Sequence, residues 1–338
     1  MGRNDLLIRT FPKAFGIILV VFGHVNRGLF NSGIFTSTEI YHSLDNVIYS
    51  FHMPLFFFLS GLFFIESISG KSKIRFISGK FKTIFYPYAV WSILQGCIEV
   101  FLSNYTNSKT SLISVLSFPF HPRAQFWFLY ALLLIFILSA VIYNKFFTKI
   151  IPLLLVFSFF SYIYGEDVIS IYYINYIDNN IVFFFLGCLV YKYNAYLKDV
   201  LNIYSFIILT VVFVLVEYFY FVRLGNDYSE LNFTTAAIAI VGIFWISNLS
   251  VVLSKYNVAW LSHLGRQSII IFLVHILASS GVRIVLTKLF HIENWYFNII
   301  SGTVAGIILP LLFYHFALRL KMSFFFVYPY VKTPSNLK

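Results

Sequence analysis

Eight ionisable side chains fall inside the apolar stretches of this chain: Lys13, His24, His52, Glu99, Glu217, His275, Arg283 and His315. Titratable groups at membrane depth are costly, so each is a candidate for function until a structural partner accounts for it. Lys13 and His24 share one stretch, and eleven residues at 100° each bring them back to within about 20° of the same helix face. At 1.5 Å per residue they stand roughly 16 Å apart along the axis. A cation then sits at one mouth of the stretch and an imidazole lies deep on the same stripe, a spacing comparable to the pantetheine arm of coenzyme A. A coenzyme with its phosphates near Lys13 would hold its thioester near His24. An imidazole titrating near neutrality suits a general base there. The plainer alternative leaves Lys13 snorkelling to the headgroups and His24 as a packed, hydrogen-bonded histidine.

His52 weighs against that alternative. It opens the second apolar stretch in Phe51-His52-Met53-Pro54, followed by Leu55-Phe56-Phe57-Phe58-Leu59-Ser60-Gly61. Two histidines at similar depth on consecutive antiparallel helices can meet, and Pro54 falls near the first turn, where a missing N–H is tolerated. The segment from Lys71 to Lys82 carries five cations, Lys80 and Lys82 among them, and no acid. It reads either as a topology determinant in contact with anionic lipid or as a phosphate-binding loop. Glu99 and Glu217 could orient a histidine or bind sugar hydroxyls, or else pair with Arg123 or Arg223. Arg123 lies just before Trp127-Phe128-Leu129-Tyr130, where an outer loop re-enters the membrane. His315, at the inner end of the last stretch, reads as interfacial.

The elements that must position these groups are membrane helices. Hydrophobic residues make up 59% of the 338 and charged residues 11%, against about 25% charged in an ordinary soluble domain. With roughly 20 apolar residues per span, ten spans use up nearly the whole chain. They fall at about 11–30, 46–67, 84–104, 125–143, 148–165, 179–193, 201–222, 233–253, 267–288 and 295–318. The start of the first lacks a small-residue cleavage site, so it reads as an uncleaved helix. With the N-terminus inside, 18 of the 24 Lys and Arg fall on the cytoplasmic side: Arg3, Arg9, Lys13, Lys71, Lys73, Arg75, Lys80, Lys82, Lys145, Lys149, Lys192, Lys198, Lys255, Arg266, Arg319, Lys321, Lys332 and Lys338. That asymmetry, and not nucleic-acid binding, accounts for the net charge of +11. The expected fold is an all-α integral membrane protein of about ten transmembrane helices, both termini cytoplasmic, forming one domain over 1–338. Cys97 and Cys188 both fall in spans, which gives neither a disulfide framework nor a metal set.

Several familiar chemistries are excluded by their motifs: no Gly-x-Ser-x-Gly elbow, no His-Glu-x-x-His zinc helix and no P-loop is present. What remains resembles the acyltransferase 3 family of membrane acyltransferases, which includes O-antigen O-acetyltransferases. The likeness runs over most of the chain. It begins with a basic residue, ten residues and a histidine, here Lys13 to His24. It continues through His52 to Gly61, a basic loop ending in Tyr86-Pro87-Tyr88, and Trp127-Phe128-Leu129-Tyr130-Ala131-Leu132-Leu133. Leu261-Ser262-His263-Leu264-Gly265-Arg266-Gln267-Ser268, then Ile271-Phe272-Leu273-Val274-His275, closes it. The family usually has arginine at position 13, where lysine keeps the charge and loses the bidentate fork. Thr83 also stands where another cation is expected.

The resemblance implies a bacterial inner-membrane enzyme that moves acetyl from cytoplasmic acetyl-CoA to a hydroxyl of a glycan or lipid-linked glycan. Its catalytic residues would be His24 and His52, with Lys13, Lys80 and Lys82 near the donor phosphates. Glu99, Arg123, Trp127 and His275 are the candidates on the substrate side. No metal and no nucleic acid are expected, and membrane lipids are its surroundings. A succinyl donor is a variant. A glycan-lipid flippase or small-solute transporter is the competing class, because carriers also place rare polar residues at mid-membrane. Against it, no second half of the chain repeats the first.

Overall fold

The computed structural model describes all residues except 1–2, 36, 104–109, 169–171, 198–199, 257 and 330–338, and the side chains of 3–8, 166–168, 172–173 and 194–197 are also outside the description. Of the basic residues counted to the inner side, Lys198, Lys332, Lys338 and the Arg3 side chain therefore lie outside the described residues. Every described element is helical. In chain order they are α1 (Arg3–Asn31), α2 (Thr38–Tyr49), α3 (His52–Leu62), α4 (Phe64–Ile68), α5 (Lys73–Lys80), α6 (Tyr86–Phe101), α7 (Leu112–Leu116), α8 (Trp127–Ile142), α9 (Phe147–Val168), α10 (Tyr172–Leu197), α11 (Ile203–Glu217), α12 (Phe233–Ser254), α13 (Ala259–Arg266), α14 (Ser268–Ile284) and α15 (Trp295–Arg319). Among the described residues, nine helical stretches are long and apolar enough to cross a membrane, and each matches an expected span.

The tenth, 46–67, is not one helix. Pro54 has no N–H to give the carbonyl of Ser50, and its ring would collide with that carbonyl in a continuous helix. The chain breaks there: Phe51 takes φ −138° and ψ −19°, and α3 starts afresh at His52. A second break at Phe63 separates α3 from α4. The outer part of the expected span belongs to α2, which begins well before it in what reads as a loop. The Glu217 carboxylate, 4% exposed on α11, accepts from the Ser50 hydroxyl at 2.8 Å and so braces the first break.

The same proline logic shapes the third span. A wide π-type segment at 81–85 joins α5 to α6, so Pro87 enters a loosened turn instead of a tight one. Lys80 immediately precedes this segment and Lys82 lies within it.

α1 is the axis of the bundle, packing on α2, α3, α12, α13, α14 and α15. Its Phe11, Ala14, Ile17, Val20 and Val21 are at most 1% exposed. Peripheral α9 and α11 instead present Phe157, Phe160, Ile208 and Val211 outward. Where α3 crosses α10 the backbones touch, and glycine is required on both sides: a Cβ at Gly61 would lie 1.8 Å from the Phe184 carbonyl oxygen, and one at Gly187 would lie 2.1 Å from that of Phe58. Close approach through small residues is how membrane helices gain contact when lipid offers no hydrophobic drive.

Candidate active site

α1 presents His24 to α2 and α14. At Gly23 a Cβ would meet the Tyr49 ring at 3.0 Å, so glycine lets α2 approach and brings Tyr49 beside His24, ring centroids 6.3 Å apart. On the other side stands His275 of α14, with centroids 5.1 Å apart. Among the described residues His52 makes no ring contact with His24, although the two lie within electrostatic range of each other. It packs edge-on against Tyr49 at 4.5 Å, so the expected meeting of the two early histidines is replaced by a chain His275, His24, Tyr49, His52. The break before α3 is the cause: it separates His52 from the helix that carries Tyr49.

The hydrogen bonds assign tautomers. A carbonyl only accepts, so a ring nitrogen facing one carries the proton. His52 Nδ1 donates to Ile48 O at 2.6 Å, and His275 Nδ1 donates to Phe272 O at 2.8 Å and Ile271 O at 3.1 Å. Both residues are 0% exposed, and both Nε2 atoms are buried with no partner among the described residues. Each is therefore an imidazole with its proton committed and a bare lone pair. Among the described residues His24 makes ring contacts and no hydrogen bond.

One turn beyond His24, Arg27 closes the outer side. Its Nε and Nη2 bond both oxygens of Asp45 at 2.7 Å, Nη2 also donates to the Tyr228 hydroxyl at 2.7 Å, and the guanidinium lies 3.3 Å from the Tyr49 ring centroid. Such a bidentate pair combined with a cation–π contact is a rigid arrangement. Burial pushes the Tyr228 hydroxyl above its usual range, which keeps it a neutral phenol beside Arg27. Asn46 ties the same loop down, accepting from the Tyr228 backbone N–H at 3.1 Å.

At the inner end of α1, Lys13 sits 5.8 Å from the Phe63 ring centroid, with Arg9 over the same ring at 4.6 Å and paired to Glu66 at 2.6 Å. Lys80 lies against Phe136 at 3.7 Å and within electrostatic range of Lys13 and Lys71. Arg9, Lys13, Lys71 and Lys80 thus make a cationic mouth, in which Arg9 is paired to Glu66. Lys82 is exposed and turned to Tyr328 instead, 5.5 Å from its ring.

The remaining candidates lie apart from the histidines. Glu99 pairs with Arg123 at 2.7 Å and accepts from Gln95 at 2.8 Å, within a network that includes Gln125. Trp127 stacks on Tyr176 at 5.3 Å. His315 is exposed, as an interfacial residue would be. Among the described residues no group of three His, Cys, Asp or Glu could hold a metal ion. Tyr49, Arg27, Asp45 and Tyr228 were not candidates on sequence grounds. The one signal that could have found the pair is Arg27, a cation on the outer side three residues after His24.

These features define a class: an all-helical, multi-pass membrane protein with a cationic inner mouth and a buried histidine cluster on one axial helix. Residues 12–315 match the family model of acyltransferase 3, described as an acyltransferase domain, and the chain belongs to that family. No curated protein and no solved structure matches it. It is a membrane acyltransferase.

Proposed function

We propose that the protein transfers acetyl from cytoplasmic acetyl-CoA to a hydroxyl of a bacterial surface glycan, an O-antigen or exopolysaccharide repeat, presented on the far side of the inner membrane. The observation that carries this reading is the placement of His24 and Lys13 on one helix, His24 against the base-form His275 and Lys13 in the cationic mouth with Lys80.

Lys13 and Lys80 hold the donor phosphates, and the pantetheine arm runs along α1 so that the thioester carbonyl reaches His24. His24 takes the proton from the acceptor hydroxyl as its oxygen forms the new C–O bond to the acetyl carbon. The C–S bond breaks, and the imidazolium returns its proton to the departing thiolate as CoA-SH. The buried His275 lone pair stabilises the transient imidazolium, and Tyr49, backed by His52 and covered by Arg27, fixes the opposite side of the His24 ring. Holding the reacting groups in place supplies much of the rate in such a transfer.

The test is His24→Ala in the native membrane, followed by mass spectrometry and NMR of the cell's glycan. Loss of one acetyl per repeat at normal membrane abundance supports the reading. Acetylation persisting in that variant would sink the assignment of His24, and unchanged glycan on deleting the whole protein would sink the acceptor.

A further inference from the structure

We propose that the groove between α1, α13 and α15 seats one acyl chain of an anionic phospholipid, whose headgroup is met by Arg266 and His263 of α13; this goes beyond the acyl-transfer reading and does not rest on it.

The three helices leave a groove because two close contacts hold them at different levels. A Cβ at Gly302 would lie 3.0 Å from the Val25 side chain and one at Gly306 would lie 2.6 Å from that of Val21, so these glycines bring α15 against the outer half of α1. Towards the other end, α13 is pressed onto α1. A Cβ at Gly265 would lie 1.9 Å from the Thr10 carbonyl oxygen, and the Thr10 and Ser262 hydroxyls stand 3.5 Å apart. Ile18 falls between the two contacts. Beside it opens a groove of about 480 Å³, lined also by Leu264 of α13 and by Val304, Ile307, Ile308 and Leu311 of α15. That volume lies within the range of sites that take a small ligand. It is not the donor's path, because Ile18 is turned about 120–140° around α1 from the stripe of Lys13 and His24.

The occupant follows from the lining and its level. Every residue along the length of the groove is aliphatic, and Val304 and Ile308 on its wall are half-exposed, so it opens sideways to hydrocarbon. From Val304 to Leu311 the wall rises about 10 Å, a length suited to a straight apolar chain. Polar groups enter the lining only from α13, as Trp260 and His263. Both are exposed, and tryptophan with one apolar and one wet side marks the headgroup level. The contact of α13 with Thr10 sets that level beside Arg9 and Lys13, on the side of the cationic mouth. An aliphatic slot with one polar lip at the headgroups matches a lipid tail and its head.

Charge selects the kind of head. Arg266 follows His263 by three residues on the same face of α13 and is exposed. Its Nη1 donates to the Ser262 hydroxyl at 2.6 Å, which holds one arm of the fork and leaves further N–H groups for a ligand. The segments 255–268 and 312–322, which form this end of α12 to α15, carry Lys255, His263, Arg266, His315, Arg319 and Lys321 and no acid. Basic residues at the surface of a membrane attract anionic lipid, and a guanidinium beside the slot presents its fork to a phosphate.

The experiment uses the full-length protein in phosphatidylcholine vesicles with added phosphatidylglycerol or phosphatidylcholine brominated on one acyl chain. Emission of Trp260 is taken as the difference between the unaltered protein and Trp260→Phe. Brominated phosphatidylglycerol should half-quench that emission at about fivefold lower mole fraction than brominated phosphatidylcholine, the advantage expected of one basic residue at the headgroups. The preference should vanish in the double variant His263→Gln, Arg266→Gln, and Ile307→Phe, which narrows the slot, should weaken quenching by both lipids. Equal quenching by the two lipids, or a preference that survives in the double variant, overturns the selection of an anionic head. Quenching unchanged in Ile307→Phe overturns the seat of the chain. Emission that neither lipid quenches overturns a lipid occupant altogether, and disulfide-linked pairs of Trp260→Cys would then give the groove to a second copy of the protein. Acetyl transfer at His24 stands or falls separately from each of these results.

Discussion

His24 and His275 are neighbours of the same type in opposite circumstances, one with no hydrogen bond to either ring nitrogen among the described residues and one with its Nδ1 proton given to two carbonyls. That division suits a working base and a supporting one. His275→Ala should lower kcat by about 10²-fold to 10³-fold, within the range of positioned proton-transfer groups, with membrane abundance unchanged by immunoblot. An unaltered kcat would reduce His275 to packing. Lys13 offers a cleaner comparison, because arginine restores the family's usual residue. Lys13→Ala should raise KM for acetyl-CoA by about tenfold and Lys13→Arg by much less, since phosphate reads charge first. Equal losses would count against a phosphate role. The Lys13 to His24 spacing was legible in the sequence because helical periodicity is local. The partner of His24 was not, because His275 arrives from a distant helix, and depth alone made His52 look like the neighbour.

At the scale of elements, Pro54 and the paired glycines do different work. Pro54 was readable as a first-turn proline, yet the consequence for Ser50 and for the side of the helix that Tyr49 occupies depends on where α2 packs. The α3–α10 crossing is a backbone contact, so neither glycine has a flexible neighbour that could swing aside. Gly187→Ala should cost about 1–3 kcal/mol or more, as overpacking does, read as a lower thermal midpoint in detergent, while Gly281→Ala, where a Cβ meets nothing within 4 Å, should leave it unchanged. Arg27→Ala strips the partner from Asp45, 9% exposed. The expected cost is about 3 kcal/mol, at the lower end for a buried pair because Arg27 is partly exposed. Lower abundance on immunoblot checks it, with Arg27→Lys intermediate because it loses the fork.

For the whole molecule, nine spans were visible as apolar runs because a bilayer demands length, and length survives in composition. The broken second span was not, since hydropathy sees 46–67 as continuous while the backbone obeys Pro54. Orientation rests on the distribution of basic residues and has a direct check. In a Cys97→Ser background, Ser229→Cys should react with an impermeant maleimide in intact cells and Lys73→Cys only after the membrane is opened. The reverse pattern would invert the topology and the direction of transfer with it.

The rise of about 16 Å between Lys13 and His24 is set by covalent helix geometry, and no side-chain motion lengthens it. α1 therefore acts as a ruler held upright by its neighbours, and the lipid around the bundle decides how that ruler stands. Thicker bilayers favour an upright axial helix and thinner ones tilt it. The distance from the headgroup plane to the imidazole, and with it the rate of transfer, then becomes a property of the host membrane as much as of the chain.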